Sequence, residues 1–348
     1  MSLPAQTEEY LILSSIQKNI YAYVWLLMKG DSYLPGIITS VYSVKRTNFK
    51  ADLVVMVTPD VSEKSREIIL KCATHICEVP YITISSLPLK SARQKEMYSH
   101  WINSAYTKLN ILALPYDKVI FMDADTIHLK SSFELFQMNT PAAPYANPFV
   151  RPLGNIKDHY IGRRGSDGYP IHNAEINKKL INTILKNGGI LPISSSLIIT
   201  PNIEDYNNYL KMLNEYVENK QPFGYSKCIN GYDEQSICKY YSEIENKNWR
   251  AVHQRYNYIA WKNGFLAKGD YPYVLHYMSE NKPWLMDPAK YDDLISWYKM
   301  ASEAIDKLRL DSNDLFLKKE YLEMAMNTDD TFIKKFIDVD SCLFIKDL

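Results

Sequence analysis

Short apolar runs rich in strand formers recur along the first third of the chain, at residues 21–28, Leu53–Val57, His75–Val79 and Val119–Met122. Most are apolar at every position, the pattern of strands buried on both faces. Segments with helical spacing fall between them. One runs from Tyr33 to Val44, after a turn at Lys29-Gly30-Asp31. A second opens at Ser62, a predicted N-cap, with Ser65 and Arg66 on the exposed side and Ile68, Ile69 and Cys72 facing inward. A third places Ile102, Ala105, Tyr106, Leu109 and Leu112 on one face and leads into the fourth strand. Strands alternating with amphipathic helices predict a parallel, doubly wound α/β layer.

Downstream, Phe133–Phe136 reads as a helical turn. Residues 138–188 lose the pattern to proline, glycine and charge, with a short helix expected over Glu175–Leu185. An insertion of this kind beside a strand end reads as a functional flap. Ile193–Ile199, Trp249–Val252 and Tyr273–Tyr277 are predicted strands; Tyr206 to Val217 and a segment opening near Asp233 are predicted helices. Beyond Pro288 the spacing of Leu294, Trp297, Ala301, Ile305 and Leu308 is helical, as are 315–326 and 332–337. The expected organisation is one α/β domain over 1–286, with the 138–188 insertion near its site, and a helical segment over 287–348 suited to packing or to a homodimer.

Composition narrows the function. Lys plus Arg equals Asp plus Glu at 40 each, which argues against a general nucleic-acid or anionic-membrane binder. The five cysteines lack metal-ligand spacing and are odd in number, as in a reducing compartment. The opening residues have neither a basic nor an apolar signal region, and the stretch Tyr21–Met28 is too short to span a bilayer. These features predict a cytoplasmic protein.

The candidate chemistry begins where the fourth strand ends, in Asp123-Ala124-Asp125. Ligands of open α/β sheets sit outside the carboxyl ends of strands, so two carboxylates there are candidate ligands, although a capped strand exit would read the same. A second apolar run, Tyr273-Val-Leu-His276, also ends at a potential ligand, with Lys282-Pro-Trp284 close behind. Two carboxylates and an imidazole suit Mg2+ or Mn2+, the nitrogen tilting the choice to Mn2+. A lysine nearby would add a point charge for diphosphate oxygens.

These motifs, with Lys108-Leu109, Tyr116–Thr126, Phe133–Phe136, Tyr232-Asp-Glu-Gln235 and His276–Trp284 in that order, resemble the glycogenin-type family 8 glycosyltransferases. Leu27–Tyr33 and Val55–Arg66 resemble the family's first two βα units, and the resemblance covers about residues 20–286. It implies a single Rossmann-like nucleotide-sugar transferase domain of the GT-A type, with a mainly parallel sheet. It implies that Asp123, Asp125 and His276 hold Mn2+ on the diphosphate of a UDP-sugar, with Ala124 between them in the donor site. Leu27 and Tyr33 match positions that sandwich the uracil, Lys108 a lysine near donor sugar and ribose, and Lys282 the phosphate lysine. Ser194 and Ser195 stand at positions that contact the sugar. Asp233 matches the catalytic acid beside the anomeric carbon, with Glu234 as second choice.

The implied reaction is retaining transfer of glucose to a hydroxyl, on a tyrosine of the same chain or on a glycan. The same site would suit UDP-galactose, UDP-xylose or UDP-N-acetylglucosamine, and a self-glycosylated priming scaffold or an inactive UDP-sugar binder are the alternative classes. Departures from the family fall at Lys29, Gly30, Ser194, Ser196, Asn230 and Ser279, which bear on base, sugar and, at Ser279, the approach to the phosphate, rather than on the metal. Tyr258 is the tyrosine nearest the family's self-acceptor segment, and Arg151, Arg163 and Arg164, with Tyr160 and Tyr169, are candidate acceptor-site residues of the insertion.

Overall fold

Four parallel strands frame the protein: β1 (Tyr21–Leu27), β2 (Asp52–Val57), β3 (His75–Glu78) and β4 (Lys118–Phe121), side by side in the order β3-β2-β1-β4. The computed structural model describes residues 20–47, 50–89, 92–144, 171–189, 191–228, 230–260, 271–278 and 281–337. Successive side chains of a strand point to opposite faces, and here both faces are covered. Tyr23, Trp25, Leu27, Leu53, Val55 and Val57 enter one core cluster, and Ala22, Val24, Val54 and Met56 enter the other. This two-sided burial is why Leu53–Val57 and Val119–Met122 carry no polar positions.

The first face is closed by α1 (Leu34–Thr47) and α2 (Glu63–Leu70), the second by the 3-10 helix Ile102–Ala113, which follows the short α3 (Ala92–Tyr98). Ser62 caps α2 as predicted, its Oγ accepting from Ser65 N at 3.2 Å. The Ser62 and Ser65 hydroxyls lie 3.1 Å apart, Ser65 is 3% exposed and the Arg66 side chain 17%, so the expected exposed placement of both is corrected. The segment Ile102–Ala113 keeps the predicted inward face but winds as a 3-10 helix.

Past β4 come β5 (Thr126–His128), β6 (Ala142–Ala143), β7 (Glu175–Ile176), α4 (Lys178–Asn187), β8 (Leu197–Ile199), α5 (Ile203–Glu218), α6 (Tyr232–Lys239) and β9 (Trp249–Ala251). β8 runs antiparallel between β4 and β6, and the sheet continues through β9 to β7. Two local expectations shift. The helix expected from Glu175 begins only at Lys178, because Asn177 accepts from Lys179 N and caps it there, while Glu175–Ile176 pair with β9. The strand expected over Ile193–Ile199 contracts to Leu197–Ile199, because Ser196 takes a left-handed φ of 56°.

A second, three-stranded sheet of β10 (Tyr258–Ile259), β11 (Val274–His276) and β5 lies beside the carboxyl end of β4. The C-terminal helices are α7 (Asp292–Leu308), α8 (Lys319–Asn327) and α9 (Thr331–Ile337). Leu294, Trp297 and Ala301 of α7 share the core cluster of Trp25 and pack on α1. Among the described residues no helix is long and apolar enough to cross a membrane.

Candidate active site at the carboxyl end of β4

Leaving β4, the chain turns at Asp123-Ala124-Asp125 and re-enters β5 at Thr126. The turn is pinned from below: Thr126 Oγ1 donates to Asp123 O at 2.8 Å, the Thr126 and Ser40 hydroxyls lie 3.0 Å apart, and Trp25 Nε1 donates to Ser40 at 2.8 Å. Gly36 of α1 gives the turn its room. A Cβ there would lie 2.6 Å from Ala124 O and would overlap the Trp284 ring. The sequence reading missed Gly36 because it sits silently inside a helical pattern.

Strand register brings the histidine in. β11 pairs antiparallel with β5, His276 opposite Thr126, and Tyr277 N donates to Asp125 O at 2.9 Å. The result places His276 Nε2 3.2 Å from Asp125 Oδ1 and 3.8 Å from Asp123 Oδ2. Ligand atoms of all three residues fall within 4.8 Å of one another, so this set of two carboxylates and an imidazole fits a divalent metal site. His276 and Asp125 are buried, whereas the Asp123 side chain is 28% exposed.

Lys282 Nζ reaches Asp125 Oδ2 at 2.6 Å. Burial alone would raise the Asp125 carboxyl, but Lys282 and His276 outweigh it and hold the acid well below the usual carboxylate range. Burial likewise opposes the Lys282 charge, and Asp125 with Tyr33 more than restores it. Tyr33 stands over this corner, its ring centroid 5.9 Å from Lys282 Nζ and 5.2 Å from that of Trp284. Leu27, its predicted partner about a base, is fully buried in the core at the end of β1.

On the other side of Asp123 lies a second charged group. Lys108 Nζ contacts Asp233 Oδ2 at 2.8 Å, Ser194 Oγ at 2.8 Å and Asp123 Oδ1 at 3.7 Å. Burial disfavours its charge, yet the Asp233 and Asp123 carboxylates prevail and keep the ammonium more basic than a free lysine. Asp233 does not cap its helix; Gly231 holds that position, and the Asp233 carboxylate turns to Lys108 and to the Ser194 hydroxyl, which donates at 3.2 Å.

Glu234 faces the other way. It accepts from Ser194 N at 2.8 Å, Gly231 N at 3.1 Å and Asn230 Nδ2 at 2.9 Å, bracing the 191–194 loop to the start of α6. Burial and the neighbouring Asp233 push its carboxyl up to about 7, against the pull of Lys108 and these donors. Asn230 also clasps Leu191 through both backbone atoms. Ser195 is buried, its Oγ without a partner among the described residues.

Of the departures, Lys29 and Gly30 take consecutive left-handed conformations with φ of 62° and 76°, and Lys29 N donates to Tyr81 OH at 2.9 Å. Ser196 Oγ donates to Tyr256 O at 2.7 Å. Tyr258 is 7% exposed and lies against Phe332. Ser279, Arg151, Arg163, Arg164, Tyr160 and Tyr169 lie outside the described residues.

The family model "Glycosyl transferase family 8" matches residues 26–191, a span that holds β2 to β4, Lys108 and both turn aspartates. Over this span, just under half of the chain, the protein is similar to glycosyltransferase family 8. It is similar to an uncharacterized protein of Acanthamoeba polyphaga mimivirus, 27% identical over 270 residues, covering 76% of this chain and 82% of that one. Human glycogenin-2 is 32% identical over 112 residues, 32% of this chain and 21% of glycogenin-2. Among solved structures, an active-site mutant of LgtC superposes with a TM-score of 0.52 at 15% identity, over 81% of this chain and 95% of LgtC. That likeness extends past the family match and gives the GT-A glycosyltransferase fold, a mixed α/β architecture with a mainly parallel sheet. Asp233, His276 and Lys282 lie beyond residue 191, and here geometry joins them to the family motif.

Proposed function

We propose that this protein is a family 8 glycosyltransferase, Mn2+-dependent and retaining, that moves a sugar, glucose first among the candidates, from a UDP-sugar to a hydroxyl acceptor. The observation that carries the reading is the convergence, on one strand end, of Asp123, Asp125, His276 and Lys282 with the Lys108–Asp233 pair. Asp123, Asp125 and His276 would hold the ion. When bound, such an ion neutralises charge on the diphosphate and leaves coordination positions open for its oxygens.

The remaining work falls to the chain's own groups. Breaking the anomeric bond to UDP develops negative charge on the leaving phosphate, and Lys282 supplies a fixed positive charge for it. Cationic character grows on the sugar at the same time, and Asp233 is the acid we assign to stabilise it. Its carboxylate is engaged by Lys108 and Ser194, an arrangement that suits electrostatic stabilisation better than attack. Ser194 and Ser195 line the sugar side, and Glu234 positions Ser194 rather than reacting. Tyr33 is the proposed platform for the base.

Because Tyr258 is buried, we place the acceptor hydroxyl on another molecule rather than on that tyrosine. Cys72, Cys228 and Cys238 are buried thiols outside any disulfide, which supports a reducing, cytoplasmic setting. The test is a donor screen with Mn2+ across UDP-glucose, UDP-galactose, UDP-xylose, UDP-N-acetylglucosamine and UDP-glucuronate. Released UDP and intact protein mass are read together. Release with one donor, absent in Asp123→Ala, supports the reading; no release with any donor by the folded parent sinks it. Hexose added to the protein itself would return the acceptor to the chain.

A further inference from the structure

We infer that Asn257 is a positioning residue that fixes the tautomer of His276 and so keeps its Nε2 free to bind a metal. The inference deepens the reading above and rests on its metal site. Asn257 closes the 3-10 helix Gln254–Asn257 immediately before β10, and β10 runs parallel to β11 with Ile259 opposite His276. Ala260 N donates to His276 O at 3.0 Å, so the backbone of the histidine is held on the same side. This register sets the Asn257 amide against the imidazole, with its Oδ1 2.8 Å from His276 Nδ1.

An amide oxygen only accepts, so this contact is a hydrogen bond only when Nδ1 carries the proton. A neutral ring with its proton on Nδ1 leaves its lone pair on Nε2, the atom that faces Asp125 and Asp123 at 3.2 and 3.8 Å. Without metal, a proton on Nε2 can be shared with Asp125. A proton held on Nδ1 makes Nε2 the nitrogen that gives its proton up and takes the metal, whereas the opposite tautomer keeps its N–H aimed at the carboxylates. Burial supplies an independent argument. Asn257 is 2% exposed, and its Nδ2 has no hydrogen-bond partner among the described residues. An unpaired donor inside a protein is costly, so a residue that merely filled this space would be better replaced by leucine. The cost is accounted for if the oxygen of the same amide is what the site requires. Metal-ligating histidines generally have such a partner on the other ring nitrogen, and losing it weakens metal binding by about 10–100-fold.

The experiment uses the full chain labelled with 15N-histidine. Ring nitrogens are read by NMR without metal, His276 being assigned by its loss in His276→Gln, and Mn2+ affinity is measured by electron paramagnetic resonance. The expected result is a protonated Nδ1 in the parent and in Asn257→Asp, whose carboxylate still accepts. In Asn257→Leu that proton is lost from Nδ1 and Mn2+ binds about 10–100-fold more weakly. Asn257→Ala takes the same place if the leucine variant does not fold, as judged by circular dichroism. An unprotonated Nδ1 in the parent overturns the inference, and so does Mn2+ affinity unchanged in the folded leucine or alanine variant. A space-filling role would give the reverse order, with leucine tolerated and the buried aspartate damaging. A parent with protonated Nδ1 that binds no Mn2+ overturns the metal reading and with it the purpose given to Asn257.

Discussion

Replacing Lys108 with methionine should destabilise the fold by about 3–5 kcal/mol, the cost of breaking a buried ion pair by removing one partner. The structure shows why the loss is not a surface effect. The Lys108 side chain is 15% exposed and its partner Asp233 6%, with 2.8 Å between charges. At an effective dielectric of 20 that contact alone is worth about 6 kcal/mol of gross attraction. Desolvation of the ammonium takes back several kcal/mol, so the net value of the pair is far smaller. Methionine conserves length and apolar packing but leaves the Asp233 carboxylate buried with, among the described residues, only the Ser194 hydroxyl donating to it. The penalty therefore belongs to the stranded acid, and Asp233→Asn in the same background should recover most of it.

Urea unfolding of the parent, Lys108→Met, Asp233→Asn and the double variant closes the cycle. Coupling between neighbours in such a network runs about 0.5–3 kcal/mol. A Lys108→Met cost below about 1 kcal/mol, or one unchanged in the Asp233→Asn background, would refute the argument from the stranded carboxylate.

Two further outcomes follow from the same geometry. Gly36→Ala should lose about 1–3 kcal/mol in thermal unfolding and weaken Mn2+ binding, because its Cβ presses on Ala124 O and Trp284. A gain of up to about 1 kcal/mol, as helix propensity alone dictates, would contradict this. Glu234, raised to about 7 in the fold and titrating near 4.3 when unfolded, binds an extra proton in the folded state between those values. Stability should fall, on the order of 3 kcal/mol, as pH rises through that window and level off above it, and Glu234→Gln should flatten the fall. Parallel pH profiles for the two proteins would exclude Glu234 as the source.

The convergence of Asp123, Asp125 and His276 was legible because two apolar runs each end at a potential ligand, and a strand's end is where a side chain leaves the core. Asp233 was legible only through its motif, and its bond to Lys108 depends on a 3-10 helix that periodicity reads as α. Glu234 looked like a second catalytic acid. Its partners Ser194 and Asn230 come from loops whose path no period encodes, so its bracing role needed coordinates. Gly36 and Asn257 were hidden for a related reason: each matters through a neighbour more than 15 residues away, at distances set by α1 docking and by β10–β11 register.

Asp123 and Asp125 divide the labour of the site unequally. Asp125 is committed to the protein: its side chain is 7% exposed, with Lys282 on one oxygen at 2.6 Å and His276 on the other at 3.2 Å. Asp123 is 28% exposed and stands between the two charged groups, 3.8 Å from His276 and 3.7 Å from Lys108. Asp125→Asn strands Lys282 in a buried corner and should cost about 3–5 kcal/mol of stability. Asp123→Asn removes a longer, partly solvated interaction and should cost under about 1 kcal/mol. Both should lose Mn2+ binding. Urea unfolding without metal, set beside a Mn2+ titration, separates the roles. Equal stability losses would mean that the two acids are equivalent and that the burial difference carries no function. Unequal losses would place the link between the Lys282 and Lys108 sides of the site at Asp123, because it alone among the described acids lies within 4 Å of both Lys108 and His276.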